Sequence, residues 1–214
     1  MAIWLAKENF DSYVTDASIS GGAGGCNWTG NWVLNSGTVT TPAAPAGMSG
    51  KALSGGGLAY NASRTFTSID NSILHFQFHS TDATALNERD ITFEGAGTAR
   101  FSFRINVSTG GRYYISDGTS YNTDLGAFSV NTTYTVDLKF GHVAGKVAVS
   151  FNGGAYSADA NCTGGISAID KIFFIDAGTP LGTMYMDDFG DVAGAICPVT
   201  SVNPASNLLL MGAG

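Results

Sequence analysis

Apolar and polar side chains alternate most regularly over residues 99–107. The order there is Arg100, Phe101, Ser102, Phe103, Arg104, Ile105, Asn106 and Val107. Strict alternation is the period of a strand with one buried face and one solvent-facing face. A register slip of one residue would bury the arginines and expose the aromatic rings, so the register is well specified. The turn residues at 108–111 and the segment 112–116 complete a predicted β-hairpin.

The same alternation recurs along the chain. It predicts strands at 72–80, 134–140, 147–151 and 184–189, with an opening strand at 8–13, whereas 122–126 has the residues of a turn. The run at 172–175 is apolar on both faces, which predicts a strand in the middle of a sandwich. No segment longer than a turn has helical periodicity. Many short strands separated by turns predict an all-β fold, a two-sheet antiparallel β-sandwich of the jelly-roll class with a short extended C-terminal tail. The expected boundaries are 1–194 for the sandwich and 195–214 for the tail.

Composition excludes several classes of function. The 214-residue chain has 13% charged residues and a net charge of −7, with only ten dispersed lysines and arginines, which argues against nucleic-acid binding. No apolar run is long enough to predict a membrane span, and the apolar stretch near the start is too short for a secretory signal peptide. Low charge with abundant serine, threonine and glycine is typical of virion or extracellular proteins.

Three short segments resemble the concanavalin-A-like lectin/glucanase superfamily, in its laminin-G-like branch. They are residues 8–13 (ENFDSY), 50–53 (GKAL) and 184–189 (MYMDDF), and the 151–154 turn (FNGG) is similar as well. The resemblance covers about residues 7–190. It implies a jelly-roll sandwich, with glycan binding or glycoside cleavage as the activities to consider.

Glu88, Asp90 and Glu94 are the sharpest candidates for catalysis. Glucanases of this superfamily place a nucleophile and a general acid about 5 Å apart. Along a strand, Asp90 and Glu94 would stand about 13 Å apart, too far for a retaining pair. The sequence therefore predicts a protein that is not an enzyme, with a glycoside hydrolase or lyase as the second alternative.

Acidic residues in the first and the last predicted strands predict a calcium site between these strands. Because adjacent strand residues point to opposite faces, one of Asp187 and Asp188 turns inward, where a buried carboxylate needs a partner. Glu8 and Asp11 of the opening strand would complete a structural Ca²⁺ site. Hydrogen bonding of these carboxylates to backbone amides and solvent is the alternative.

Aromatic and histidine residues provide a candidate glycan surface, namely Trp28, Tyr113, Tyr114, His75 and His79. Aromatic rings stack on sugars, but they also fill cores and interfaces. His75 and His79 share a strand face at a separation of about 13 Å, too far apart to chelate one metal ion by themselves. A lectin-like carbohydrate-binding module is therefore the first alternative function.

The C-terminal tail supports the main prediction, a non-enzymatic assembly subunit of a virion, as a capsid-decoration or tail component. The tail is uncharged and apolar, and a protein partner would bury Leu208, Leu209, Leu210 and Met211. Partners are therefore expected to be other proteins, with homo-oligomers and glycans as further options and no nucleic acid. The other interpretation is that the tail packs on its own sandwich as one more strand.

The three cysteines, Cys26, Cys162 and Cys197, fit no zinc-binding spacing. Three buried thiols are expected in preference to one disulfide with one free thiol. Asn-x-Ser/Thr sequons begin at Asn27, Asn61, Asn106, Asn131 and Asn161, and they matter only on a eukaryotic secretory route.

Overall fold

The computed structural model describes residues 6–55, 59–81, 88–106, 111–117, 121–162, 168–176 and 183–190. Its strands, in chain order, are β1 (Val33–Ser36), β2 (Val39–Thr40), β3 (Leu53–Gly55), β4 (Tyr60–Ile69), β5 (Ser72–Ser80), β6 (Glu88–Gly95), β7 (Thr98–Asn106), β8 (Arg112–Ser116), β9 (Tyr121–Ala127), β10 (Thr132–Phe140), β11 (Lys146–Phe151), β12 (Ala160–Asn161), β13 (Ile169–Asp176) and β14 (Met184–Gly190). No helix of the described residues is long and apolar enough to cross a membrane.

The strands form two antiparallel sheets of seven strands each. Sheet A has the order β1-β4-β13-β6-β7-β8-β9, and sheet B has the order β12-β11-β10-β5-β14-β3-β2. The predicted all-β, two-sheet jelly-roll sandwich is therefore confirmed. The predicted hairpin is confirmed as well, because β7 pairs with β8 in the register Arg104↔Tyr114.

The core lies between the inward faces of the two sheets and is rich in aromatic rings. Phe76 of β5 stacks on Phe189 of β14 at 5.4 Å and meets Phe103 of sheet A edge-on at 5.6 Å. The alternation in β7 buries Phe101, Phe103 and Ile105 and turns the intervening side chains outward. Each sheet thus has an outer face whose side chains point away from this core.

Two predictions of local structure are wrong. The expected opening strand is reduced to isolated bridges, such as Glu8↔Phe189, because Phe10 adopts a left-handed backbone (φ 58°) and turns the chain. The predicted turn near 122–126 is part of strand β9. This strand lies at the edge of sheet A, where register shifts tolerate turn-forming residues such as Gly126.

Cysteine chemistry also differs from expectation. Cys26 is disulfide-bonded, so the expectation of three thiols is wrong, whereas Cys162 is free and buried. Burial raises the pKa of the Cys162 thiol to about 12, which makes it unreactive at neutral pH. The 195–214 tail, including Leu208, Leu209, Leu210 and Met211, lies outside the described residues, and the boundary at 194 stays a prediction.

Candidate functional site

The outer face of sheet A carries a row of side chains on adjacent strands. The backbone register aligns, strand by strand, Asn61, Ile175, Asp90, Arg104, Tyr114 and Asp124. These positions alternate with core residues such as Ile91, Phe103 and Tyr113, so they face away from the core. The row therefore places a carboxylate, a guanidinium and a phenol on three neighbouring strands. We call this row, together with the parallel row that runs from Ser63 to Ser116, the Arg104 face.

Asp90 and Arg104 form a two-pronged ion pair at the centre of that row. Arg104 Nε donates to Asp90 Oδ1 at 2.7 Å, and Nη2 donates to Oδ2 at 2.8 Å. Only 9% of the Arg104 side chain and 13% of the Asp90 side chain is exposed. This parallel fork fixes both planar groups in one orientation, which is the property a polar recognition site needs.

A second row runs beside the first, two residues further along each strand. It aligns Ser63, Phe173, Thr92, Ser102 and Ser116. The hydroxyls of Thr92 and Ser102 hydrogen-bond to each other at 2.8 Å. The Phe173 ring is half-buried, and Lys171 Nζ lies 4.2 Å from its centroid. The four hydroxyl-bearing residues of this row are buried, so the row contributes mainly the half-buried Phe173 ring to the Arg104 face.

The edge of this face carries another ion pair, between Arg112 and Asp124. Arg112 Nε donates to Asp124 Oδ2 at 2.9 Å, and the backbone N–H of Gly126 donates to Asp124 Oδ1 at 2.9 Å. These hydrogen bonds, that from Arg112 foremost, lower the pKa of Asp124. Both partners are more than a third exposed, so the pair is a solvated rim of the Arg104 face.

The two predicted tyrosines lie on opposite sides of sheet A. Tyr114 belongs to the Arg104 face, next to Arg104. Tyr113 points into the core, is 2% exposed, and stacks on Phe151 at 4.4 Å. The prediction of Tyr113 as a glycan-stacking residue is therefore wrong, because its ring is enclosed by the sandwich.

Trp28 packs against the core from the loop that precedes β1. Its Nε1 donates to the Lys7 carbonyl at 2.8 Å, and the Arg64 guanidinium lies 4.8 Å from its ring centroid. Trp32 lies beside it at 5.8 Å and is 1% exposed. Trp28 is thus held in a structural cluster away from Tyr114.

His75 and His79 lie on the outer face of sheet B, on the opposite side of the sandwich from the Arg104 face. His75 Nδ1 lies 2.7 Å from Asp137 Oδ1, and His79 Nδ1 lies 3.0 Å from Thr133 Oγ1. The loop at 42–50 reaches this surface, where Thr133 Oγ1 also donates to the Ala46 carbonyl. His79 is 4% exposed, and burial lowers its pKa. The five residues predicted for one glycan surface therefore do not form a single site.

Glu8 is engaged in a buried hydrogen-bond network. Its Oε2 accepts from Arg64 Nη1 at 2.7 Å and from the Tyr13 hydroxyl at 3.0 Å, and its Oε1 accepts from the Phe10 N–H at 3.1 Å. Desolvation raises the pKa of Glu8, and the Arg64 charge opposes that rise. The guanidinium thus occupies the position beside Glu8 that the sequence assigned to a cation.

The other three predicted calcium ligands are coupled electrostatically. Burial, followed by the neighbouring charge of Asp188, raises the pKa of Asp187 to about 8, and Asp11 contributes in the same direction. Asp188 accepts from Gln77 Nε2 at 3.0 Å, and Asp11 accepts from the Lys51 N–H at 2.8 Å. Among the described residues, no group of three or more His, Cys, Asp or Glu side chains is placed to hold a metal ion. Because Glu8 is paired with Arg64, the four residues are not one ligand set, and calcium at the three aspartates stays a prediction.

Sequence reasoning missed the residues that organise the Arg104 face. The sequence offers Asp90 for catalysis, predicts Arg104 on the solvent side, and places Phe173 in a strand that is apolar on both faces. Opposite charges at outward positions of two consecutive strands were the available signal. The signal becomes specific only with the register, which aligns Asp90 with Arg104 and shifts at Phe93/Glu94.

Comparison with known proteins yields similarity of structure. No family model matches the chain, and no curated protein matches it. A sialidase superposes with a TM-score of 0.59 at 12% identity, over 74% of this chain and 16% of the sialidase chain. The binding domain of botulinum neurotoxin DC, solved with rat synaptotagmin II, gives 0.53 at 13% identity, over 86% of this chain and 46% of that one.

The carbohydrate recognition domain of Emp46p, in its metal-free form, has a TM-score of 0.50 at 9% identity, over 75% of this chain and 88% of that domain. At such low identity these likenesses establish architecture, and they match the two seven-stranded antiparallel sheets described above. The chain therefore shares the two-sheet jelly-roll β-sandwich fold of these proteins.

Proposed function

We propose that the protein is a carbohydrate-binding module and that the Arg104 face is its binding surface. The observation that carries the proposal is the Asp90–Arg104 ion pair with Tyr114 beside it in the same cross-strand row. The fork supplies a donor and an acceptor in fixed orientation, and the phenol supplies an aromatic ring.

These groups match the chemistry of a sugar. A sugar ring has hydroxyls, which pair with charged donors and acceptors, and C–H faces, which pack on aromatic rings. Groups held by rigid strands lose little freedom when a ligand binds, so they contribute more to affinity than groups on loops. The fold supports the same proposal by analogy, because the Emp46p domain is a carbohydrate recognition domain.

We also propose that the module does not cleave its ligand. Asp90 of the candidate acidic set accepts a hydrogen bond from Arg104 on each carboxylate oxygen, which holds it as an ion-paired acceptor for sugar hydroxyls and not as a free nucleophile. The register shift beside Glu94 leaves the extra residue, Arg100, in β7, so Asp90 and Glu94 stay four residues apart along β6, about 13 Å, which is too far for a retaining pair. Release of reducing ends from the bound polysaccharide, abolished by Asp90→Asn, would contradict this proposal.

Affinity electrophoresis through gels that contain soluble xylan, mixed-linkage β-glucan, galactan, mannan or polygalacturonate tests the binding proposal. We expect retardation by at least one polymer and its loss in Arg104→Met and Tyr114→Ala. Tyr156→Ala is the matched control, since this exposed tyrosine packs on Lys139 at sheet B. No retardation in any gel, or equal loss in the Tyr156→Ala control, would overturn the proposal.

A further inference from the structure

Two aromatic rings lie on the Arg104 face, one on each side of the Asp90–Arg104 pair. Phe173 is on β13 and Tyr114 is on β8, and β6 and β7 run between them. The register brings the Phe173 row to Ser116 on β8, two residues from Tyr114. Three strand spacings and a two-residue offset place the two Cα atoms about 16 Å apart.

Three cations of this face, Arg104, Arg112 and Lys171, each lie next to an acidic residue. Arg104 is neutralised by Asp90, and Arg112 by Asp124, at N–O distances of 2.7 Å in both pairs. Lys171 is the register partner of Glu94. A carboxylate on a ligand would therefore find each of these cations next to an acidic residue, whereas hydroxyls find donors and acceptors together.

From this arrangement we infer that the Arg104 face takes an uncharged, linear glycan laid across the strands, with Tyr114 and Phe173 stacking on two sugar units of the same chain. The inference rests on the proposed function and deepens it by naming the class of ligand. The Lys171 ammonium group covers one face of the Phe173 ring, and the glycan stacks on the other face. The Asp90–Arg104 fork hydrogen-bonds to the sugars between the two rings.

This geometry makes a prediction about ligand length. A chain too short to span about 16 Å reaches one ring at a time, and a longer chain reaches both. Affinity therefore rises in a step at the length that first bridges the rings. Each ring contributes about tenfold to the affinity of a bridging oligosaccharide, which is the size of a single aromatic contact.

The experiment is calorimetric titration with a length series made by partial hydrolysis of the polymer that retards the protein most strongly. We expect the step in wild-type protein and its disappearance in both Tyr114→Ala and Phe173→Ala. Tyr156→Ala keeps the step. Phe173→Leu and Tyr114→Leu keep the apolar bulk without the flat ring, and thermal melts confirm that each variant is folded.

The outcomes separate the two proposals. Retardation by no polymer overturns both. Binding that needs Arg104 and Tyr114, but rises smoothly with length or is unaffected in the Phe173 variants, overturns the two-ring inference and leaves the proposed function standing. Preference for polygalacturonate over the neutral polymers overturns the assignment of an uncharged ligand.

Discussion

Arg64 Nη1 lies 2.7 Å from Glu8 Oε2, and this ion pair joins strand β4 to the N-terminal segment inside the sandwich. The Arg64 side chain is 3% exposed and that of Glu8 is fully buried. The same guanidinium donates to the carbonyls of Gly30 and Gly24 at 2.8 Å. One cation therefore satisfies oxygens from three separate parts of the N-terminal segment.

Arg64→Met is expected to be strongly destabilising, because it leaves the Glu8 carboxylate buried without its cation. A broken buried pair costs about 3 kcal/mol, which corresponds to roughly 6–12 °C in Tm for a domain of this size. Differential scanning calorimetry measures the effect. Arg112→Met is the matched control, since its partner Asp124 is solvent-exposed, and little change is expected there. Equal Tm values for the two variants would contradict a stabilising role for the Glu8–Arg64 pair.

Burial of His79 makes stability depend on pH. Its pKa is lowered in the folded state, so the unfolded chain binds the proton more readily. The contribution of the neutral His79 ring to the free energy of unfolding is therefore complete above the unfolded pKa of about 6.5, and it is lost as the pH falls below that value. In thermal melts between about pH 5 and 7, a range that brackets the unfolded histidine pKa, we expect the fall of Tm with decreasing pH to be smaller in His79→Gln. The control His142→Gln, which leaves His79 in place, is expected to show the same pH dependence of Tm as the wild type. An unchanged pH dependence in His79→Gln would contradict the role given to His79.

The disulfide of Cys26 predicts a covalent link to Cys197. The chain has three cysteines, Cys162 is free, and Cys197 lies outside the described residues. Strand β14 ends at Gly190 beside Lys7, which bridges to Cys26, and seven residues reach up to about 24 Å. Peptide mapping without reductant should recover Cys26 joined to Cys197, and Cys197→Ser should free Cys26. A reduced Cys26 in protein purified from an oxidising compartment would contradict the link.

Calcium remains a prediction that a melting experiment can decide. Burial raises the pKa of Asp187, and the charges of Asp188 and Asp11 add to that rise; a divalent cation would relieve the repulsion among these three carboxylates. We expect excess CaCl₂ to raise Tm relative to excess EDTA at pH 7.5, and Asp187→Asn to abolish the response. Asp124→Asn, an acid-to-amide change at the exposed rim, keeps it. Equal Tm values in CaCl₂ and in EDTA would contradict the predicted calcium site.

The assembly role predicted from the tail is tested by truncation after Ala195. If Leu208, Leu209, Leu210 and Met211 dock on a partner, the full chain forms larger species than the truncated chain in size-exclusion chromatography with light scattering. The readout is mass, which is independent of glycan binding. Identical masses, together with identical binding to candidate virion particles, would remove the support for an assembly subunit.

The sequence by itself determined the strands and the direction of most side chains. Strict alternation in 99–107 and 72–80 reflects a backbone period of two, which is local, so inward Phe103 and outward Arg104 follow without any partner strand. The same parity separates Tyr113 from Tyr114, since Tyr113 alternates with Ile115 of the core. Residue type alone groups the two tyrosines in one glycan surface, whereas their positions along the strand place them on opposite faces of the sheet.

Only the tertiary structure decided which outward residues meet. Phe173 joins the Arg104 face because β13, some eighty residues after β6 in the chain, inserts between β4 and β6. Arg64 meets Glu8 because the N-terminal segment turns at Phe10 instead of continuing as a strand. Strand order, bulges and loop crossings depend on the packing of the whole core, so residue spacing along the chain does not encode them.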